Sequence, residues 1–133
     1  MHASTPRHIL VVEDHAVFRR FLLSWLSRSY DVTAVSDGFE ALQWLQAGNT
    51  PDVVLLDMEM PRMCGSEFLK NIRYSGIFRD LPVVALTSKS AEETHDECDN
   101  LPLDAVFAKP YQPDALLEAI ATASTRLGQL QAA

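Results

Sequence analysis

Cysteine, glycine and basic residues are scarce in this sequence, and each scarcity excludes a class of protein. The two cysteines, Cys64 and Cys98, do not have the spacing of a metal site, so we expect reduced thiols rather than a disulfide framework. Lysine and arginine number 11 against 18 aspartates and glutamates, a net charge of -7 that leaves no basic stripe for direct nucleic-acid binding. No glycine-rich loop follows the first apolar run, which excludes a dinucleotide-binding domain.

Long apolar runs are also missing. None approaches the ~20 residues of a transmembrane helix. Residues 1–7 are polar, and the apolar run that follows ends at once in Glu13 and Asp14, which is unlike a secretory signal. We therefore expect no membrane association and a cytoplasmic location. The 133 residues, 47% of them hydrophobic, suit one compact domain, which we place at residues 7–128 with loose tails at 1–6 and 129–133.

Five short, continuously apolar runs are predicted to form strands. Strands that are apolar on both faces are typical of parallel sheets covered by helices. The runs occupy residues 8–12, 30–35, 52–57, 82–87 and 105–108.

The segments between these runs carry apolar residues at helical spacing. Asp37 is predicted to cap the second helix, which should stop near Gly48, and Pro113 suits the first turn of the last helix. The third helix is predicted over residues 66–74. The fourth, over 91–100, is acidic with a thin apolar face, so we expect it to be loosely held. The apolar face of the first helix comprises Phe18, Phe21, Leu22, Trp25 and Leu26, and that of the last comprises Leu116, Leu117, Ile120 and Leu127.

Strand and helix thus alternate five times, which predicts an α/β fold with a parallel sheet, helices on both faces and right-handed crossovers. In such sheets ligands bind beyond the carboxyl ends of the strands. The residues at those ends are chemically unusual: Glu13 and Asp14 follow the first strand, Asp57 ends the third, Thr87 the fourth, and Lys109 follows the fifth.

This group of residues suits phosphoryl chemistry. Carboxylates held close together repel one another and call for a cation, and hard oxygen ligands suit Mg²⁺. A strand-end aspartate such as Asp57 can act as a nucleophile and form an aspartyl phosphate. Thr87 could donate a hydrogen bond to a phosphoryl oxygen, and Lys109 could neutralise charge in the transition state.

The same segments resemble the receiver domain of bacterial two-component response regulators, similar to chemotaxis-type regulators. The matching stretches are residues 9–14, 55–61 through Gly65, 85–88 and 109–110, and the resemblance spans about residues 7–127. It implies a flavodoxin-like (βα)5 fold, a doubly wound five-stranded parallel sheet in the order 2-1-3-4-5.

The resemblance also implies a role for each site residue. Asp57 would be the phosphoacceptor, and Thr87 and Lys109 would contact the phosphoryl group. Glu13, Asp14 and Asp57 would hold Mg²⁺, or alternatively Mn²⁺, together with the backbone carbonyl of Glu59. The donor would be a phosphohistidine on a histidine kinase or phosphotransfer protein, so the chain would be a signalling phosphoacceptor rather than a turnover enzyme. Its readout would be the face of the fourth helix, fifth strand and fifth helix, which would dimerise or bind a downstream effector.

Four positions depart from the family pattern or modulate the site. Val106 stands where the family usually has an aromatic switch residue, and the neighbouring Phe107 should face the other side of the strand. We therefore expect the aromatic switch to be absent. Glu59 and Lys89 flank the site, and either they pair across its mouth and slow hydrolysis or they are two solvated charges. Cys64 replaces the usual acidic or amide residue before Gly65, with little expected effect.

Two other functions remain open. A degenerate receiver would only bind partners, although the intact acids, Thr87 and Lys109 argue against it. A dehalogenase-like phosphatase also uses a strand-end aspartate and Mg²⁺, but it typically has a second aspartate two residues later, where this chain has Glu59.

Two residues next to the site also have structural explanations. Asp14 could in addition cap the first helix, and His15 is expected to be a solvent-facing helix residue rather than a metal ligand.

Overall fold

The computed structural model describes residues 7–127, so the predicted tails at 1–6 and 129–133, and residue 128, lie outside the described part. Strands and helices alternate as the sequence predicts. The strands are β1 (His8–Val12), β2 (Asp31–Val35), β3 (Val53–Asp57), β4 (Val83–Thr87) and β5 (Ala105–Ala108). The helices are α1 (Ala16–Leu26), α2 (Gly38–Gln46), α3 (Gly65–Arg73), α4 (Ala91–Glu97) and α5 (Pro113–Ser124).

The five strands form one parallel sheet in the order β2-β1-β3-β4-β5, which confirms the flavodoxin-like order implied by the resemblance. The register aligns Asp57 with Leu86, and Thr87 with Ala108. Since all strands run the same way, the polar residues at their carboxyl ends meet along one edge. No helix among residues 7–127 is long and apolar enough to span a bilayer.

Each face of the sheet buries its own apolar cluster. On one face, α1 and α5 cover the alternate side chains of β1, β3 and β4, with Leu22, Leu26, Leu116 and Ile120 fully buried. On the other face, α2 and α3 contribute Leu45, Phe68 and Ile72. Both faces of the central strands are therefore dry, which explains why these strands are continuously apolar in sequence.

Two apolar positions, Phe21 and Leu127, differ from the helical-face predictions. Phe21 is 54% exposed and stacks between Phe18 and Trp25 instead of packing on the sheet. The fifth helix ends at Ser124, short of the predicted apolar position Leu127. Leu127 crosses to the opposite face and packs against the α2–α3 cluster, so it does not continue the α5 stripe.

The fourth helix is shorter than predicted and ends at Glu97 instead of residue 100. Asp99 and Asn100 have φ values of 52° and 56°, in the left-handed region that stops a helix. At its start, Ser90 and Glu93 form a capping box, a signal that the sequence prediction did not use. α2 follows its prediction closely: Asp37 caps it by accepting from the Glu40 N–H, and Gly48 lies just beyond its end at φ 103°.

Glu40 gives the protein a pH-dependent contribution to stability. Its carboxylate accepts hydrogen bonds from the Ser36 hydroxyl and, at 2.7 Å, from the Ser36 N–H. The Ser36 hydroxyl, and then the Ser36 N–H, lower the pKa of Glu40 from its ordinary 4.5. Because the folded state favours the ionised form, this stabilisation is present above about pH 4.5 and is lost as the pH falls through the lowered pKa.

Glu40→Gln, which mimics the protonated carboxyl, is expected to lower the free energy of unfolding at pH 7 by about 0.5–1 kcal/mol, a modest value because Glu40 is partly exposed. The gap to wild type should close as urea unfolding is repeated at lower pH. Glu118→Gln, on the exposed side of α5, is the matched control and should leave stability unchanged at both pH values. A Glu40→Gln gap that is constant with pH would contradict this explanation.

Candidate phosphoacceptor site

Three carboxylates converge at the carboxyl edge of the sheet. Glu13 and Asp14 follow β1, and Asp57 ends the neighbouring strand β3. One carboxylate oxygen from each lies within 4.8 Å of the other two. Glu13 and Asp57 are 2% and 3% exposed, whereas Asp14 faces solvent. The structure thus brings together the three acids that the resemblance assigned to one site.

Asp57 is held from two further directions. Its Oδ1 accepts from the Lys109 ammonium at 3.1 Å and from the Glu59 N–H at 3.1 Å. Glu59 and Lys109 also line an open cavity of about 600 Å³ over the three acids, together with Phe18 and Tyr111. A donor group can therefore reach the Asp57 carboxylate from solvent although the residue itself is buried.

Burial and charge shift the pKa of two groups here. Burial, followed by the hydrogen bond and the negative charge of Asp57, raises the pKa of Glu13 to about 8. For Lys109, burial lowers the pKa, but the hydrogen bond to Asp57 and the charges of Asp57 and Glu13 outweigh it and raise it. The crowded acids therefore hold Lys109 as a cation, and Lys109 alone does not neutralise them.

The donor set fits a hard divalent cation. Two buried carboxylates and one exposed carboxylate offer oxygen ligands only, with no thiolate or imidazole in the cluster. The raised pKa of Glu13 reflects first its burial and then its hydrogen bond to Asp57 and the negative charge of Asp57, and a bound cation would offset that charge. His15, exposed beside the cluster, instead caps α1: its Nδ1 accepts from the Phe18 N–H at 3.2 Å, so His15 makes the cap that Asp14 could have made.

Thr87 lies at the carboxyl edge of the sheet, and its hydroxyl contacts the loop after β4 and α4. Thr87 is fully buried at the end of β4, next to the Asp57 end of β3. Its Oγ1 accepts from the Lys89 N–H at 3.0 Å and lies 3.3 Å from the Thr94 hydroxyl of α4. The Thr87 oxygen is the acceptor in both contacts, so neither of them uses the Thr87 hydroxyl proton.

Of the two alternatives for Glu59 and Lys89, the ion pair between them is not formed among residues 7–127. Glu59 instead accepts a hydrogen bond from the Ser88 N–H, and Lys89 pairs with Glu97 at the end of α4. α4, which begins at the capping box, places Glu97 within reach of Lys89. The Lys89–Glu97 pair therefore forms instead of a Lys89–Glu59 pair across the mouth of the site. Glu59 thus ties the loop after β3 to the loop after β4.

Gly65 is required because the Met58 backbone lies too close to it for a side chain, and not because its backbone angle is unusual. A Cβ at this position would lie 2.7 Å from the Met58 Cα, and the Gly65 N–H donates to the Met58 carbonyl at 3.1 Å. Cys64, which stands before it, occupies the cap position of α3 without a side-chain bond to the helix backbone. The loop that carries Glu59 past Asp57 therefore depends on Gly65 and tolerates the thiol.

The switch position has the arrangement expected from strand alternation. Val106 packs with the α2–α3 cluster, and Phe107 packs with the α1–α5 cluster on the opposite face. Val106, three positions before Lys109, is therefore an aliphatic side chain on the face of the sheet that α2 and α3 cover.

The fold and the site together define a class: a flavodoxin-like α/β domain with an acidic pocket and a lysine at its carboxyl edge. Comparison with known proteins gives the family. The sequence pattern of the response regulator receiver domain family matches residues 9–121. The chain belongs to this family and is a receiver domain of two-component systems.

Individual relatives are consistent with this family assignment. The chain is 36% identical to the sensor histidine kinase RcsC of Salmonella typhi over 93% of its length, and 37% identical to the response regulator MprA of Mycobacterium sp. (strain KMS) over 84%. It spans only 13% of that kinase and 48% of that regulator. The receiver domain of the Pseudomonas aeruginosa sensor histidine kinase PA1611, whose structure has a magnesium ion coordinated in the active site cleft, superposes with a TM-score of 0.79 at 26% identity. This superposition covers 90% of the chain and 98% of that domain.

Proposed function

We propose that this receiver domain accepts a phosphoryl group on Asp57 from a phosphohistidine of a partner kinase or phosphotransfer protein. The observation that carries this proposal is the setting of Asp57: a buried carboxylate beside Glu13 and Asp14, bonded to Lys109 and open to a cavity. An end-of-strand aspartate that merely capped a turn would not need two further acids and a cation.

The chemistry is a transfer of one phosphoryl group between two side chains. An Asp57 oxygen forms a bond to phosphorus while the bond from phosphorus to the donor imidazole nitrogen breaks. The imidazole keeps that electron pair and takes up a proton. Lys109, already at the Asp57 carboxylate, stays charged and neutralises a phosphoryl oxygen. The product is an acyl phosphate on Asp57.

Glu13, Asp14 and Asp57, with the Glu59 carbonyl, would hold Mg²⁺ or alternatively Mn²⁺. A bound divalent cation would supply charge neutralisation between the carboxylates and the incoming phosphoryl group. Thr87 would donate a hydrogen bond to that group with its hydroxyl proton. The receiver domain of PA1611, with its magnesium ion in the active site cleft, supports this assignment by similarity.

The output would pass through the face of α4, β5 and α5, by homodimerisation or by binding an effector. α4 is thinly buried on this face: Thr94 is the one buried residue within its bounds, and Glu92 and Glu93 lie in its first turn. A cytoplasmic location and the absence of direct nucleic-acid contact remain part of the proposal, since the chain carries a net charge of -7.

The experiment that tests the proposed function is intact-mass measurement after incubation with acetyl phosphate, in Mg²⁺ and in excess chelator. We expect a gain of one phosphoryl group in Mg²⁺ and little gain with chelator. No gain in either condition, in protein shown to be folded, would favour a degenerate receiver that only binds partners.

We expect Glu59 and Lys89 to affect the phosphoryl lifetime unequally. The Glu59 carboxylate bonds the loop after β4 and lines the cavity, so Glu59→Ala should open the mouth to water and shorten the lifetime roughly two- to tenfold, the effect of about one hydrogen bond. Lys89→Ala is the matched control, because Lys89 pairs with Glu97 outside the mouth. Equal lifetimes in wild type and Glu59→Ala would contradict this role.

A further inference from the structure

The loop between β1 and α1 carries two of the three acids of the site. It is short and covers residues 13–15. Its first residue is fixed on one side, because the Glu13 N–H donates to the Val35 carbonyl of β2 at 3.1 Å. Asp14, which follows, is exposed and lies beyond the sheet. The loop therefore needs further contacts if the Asp14 carboxylate is to stay beside the two buried acids.

Arg19 of α1 supplies these contacts. Its Nη1 donates to the Glu13 carbonyl at 2.9 Å and to the Asp14 carbonyl at 3.2 Å, and its main-chain N–H donates to the His15 carbonyl at 2.8 Å. Every carbonyl of the loop thus accepts a hydrogen bond from the same residue. The bond from Arg19 is also the one hydrogen bond that joins Asp14 to the rest of residues 7–127.

The guanidinium of Arg19 holds the loop by its main chain and not by its acids. Within residues 7–127, Arg19 forms no ion pair with a carboxylate, so it does not compete with a cation for the oxygens of Glu13 and Asp14. An arginine suits this arrangement because its Nη1 carries two protons in a fixed plane. Arg20, the next residue, is exposed and is not bonded to the loop.

The acids of the site repel one another, and this makes the position of the loop important. Glu13, Asp14 and Asp57 present oxygens within 4.8 Å of one another, and Asp14 is the exposed member of the three. Their repulsion is relieved most easily if Asp14 moves outward. A cation that uses all three acids would then have to draw the loop back, which weakens binding, whereas a loop already held in place avoids this loss.

We propose that Arg19 is a positioning residue for cation binding. By holding the main chain of the loop, it keeps the carboxylates of Glu13 and Asp14 at the site they share with Asp57. This inference rests on the proposed function, because the cation is the one that assists phosphoryl transfer to Asp57. Arg19 bonds only to the main chain, so it acts through the affinity for the cation and not through the chemical step.

The test compares Arg19→Met with Arg20→Met, since each variant removes one positive charge from α1. Mn²⁺ is titrated into each protein without a phosphoryl donor, and the free ion is measured by electron paramagnetic resonance. We expect Arg19→Met to bind Mn²⁺ about tenfold more weakly than wild type, the usual effect of losing a contact that orients metal ligands. Arg20→Met should bind Mn²⁺ as tightly as wild type or slightly more tightly, because it repels the cation less.

The direction of the change separates positioning from two other roles. If Arg19 acted only through its charge, Arg19→Met would bind Mn²⁺ more tightly than wild type. If Arg19 served only stability, Arg19→Met would unfold at a lower temperature and its folded form would bind Mn²⁺ as wild type does. Either result would overturn the inference and leave the function of Asp57 intact. Failure of wild type to bind Mn²⁺ would remove the proposed cation site and this inference together.

Phosphoryl uptake from acetyl phosphate gives a second measurement when it is followed over a range of Mg²⁺ concentrations. Arg19→Met should need about tenfold more Mg²⁺ to reach half of its maximal rate, and its rate at saturating Mg²⁺ should be close to that of wild type. A lower rate at saturation with an unchanged Mg²⁺ requirement would overturn the inference.

Arg19→Lys takes the place of Arg19→Met if the latter does not fold. Lysine keeps the charge but presents one ammonium instead of a planar pair of donors. We expect Arg19→Lys to bind Mn²⁺ at least about twofold more weakly than wild type, the effect of about one weakened hydrogen bond. Wild-type affinity in Arg19→Lys would show that the planar donors are not needed and would overturn the inference.

Discussion

Replacement of Asp57 by asparagine is expected to abolish phosphoryl uptake, by at least about 100-fold in rate with acetyl phosphate. Asparagine has nearly the same shape but no anionic oxygen, so it cannot form the acyl phosphate. The change also removes one of three mutually repelling carboxylates, so Asp57→Asn should fold and be as stable as wild type or more so. The measurement is intact mass over time in Mg²⁺, beside a thermal unfolding curve for each protein.

Asp31→Asn is a suitable control, since Asp31 is an exposed aspartate at the start of β2, at the opposite edge of the sheet from Asp57. It should take up phosphoryl at the wild-type rate. If Asp57→Asn gained a phosphoryl group as fast as Asp31→Asn, another residue would be the acceptor, and the assignment of Asp57 would fail.

The second large effect is on stability and concerns Arg73, a residue that the sequence analysis did not single out. Arg73 is 5% exposed, and its guanidinium donates to three main-chain carbonyls: Nε to Pro102 at 3.0 Å, and Nη1 to Arg79 at 3.1 Å and Leu81 at 2.7 Å. These bonds join the end of α3 to the loop before β4 and to the loop before β5. Burial lowers the pKa of Arg73, yet an arginine stays charged in a protein.

Arg73→Met is expected to lower the free energy of unfolding by about 3 kcal/mol or more, because it leaves three carbonyls without their donor. Urea unfolding at neutral pH measures this. Arg79→Met is the matched control: its side chain is exposed and it should change stability by less than about 0.5 kcal/mol. Similar losses in the two variants would show that the buried guanidinium bonds contribute little.

The strands of the sheet could be predicted well from the sequence because each strand is indicated by its own residues. Each strand is a short apolar run flanked by polar residues, and the observed bounds differ from the predicted ones by no more than one residue at either end. The end of α4 was predicted less well. It depends on Asp99 and Asn100 adopting left-handed backbone angles, a choice open to these residue types but not dictated by them.

The site residues could be predicted because parallel strands carry their ends to one edge, so Asp57 and Glu13 had to be neighbours. Their side-chain partners could not be predicted in the same way. Lys89 had two acids within possible reach, and only the placement of α4 directs it to Glu97. Arg73 shows the same limit, since a basic residue in the last turn of a helix is usually explained by the helix dipole and solvent.

The most direct test of the central claim is to locate the phosphoryl group on the chain. Protein phosphorylated by acetyl phosphate in Mg²⁺ would be reduced with borohydride, which converts an aspartyl phosphate to homoserine, and then digested and sequenced by tandem mass spectrometry. We predict homoserine at position 57 and unmodified Glu13 and Asp14. Homoserine at another aspartate, or a phosphoryl group that resists borohydride because it sits on a hydroxyl or imidazole, would contradict the account.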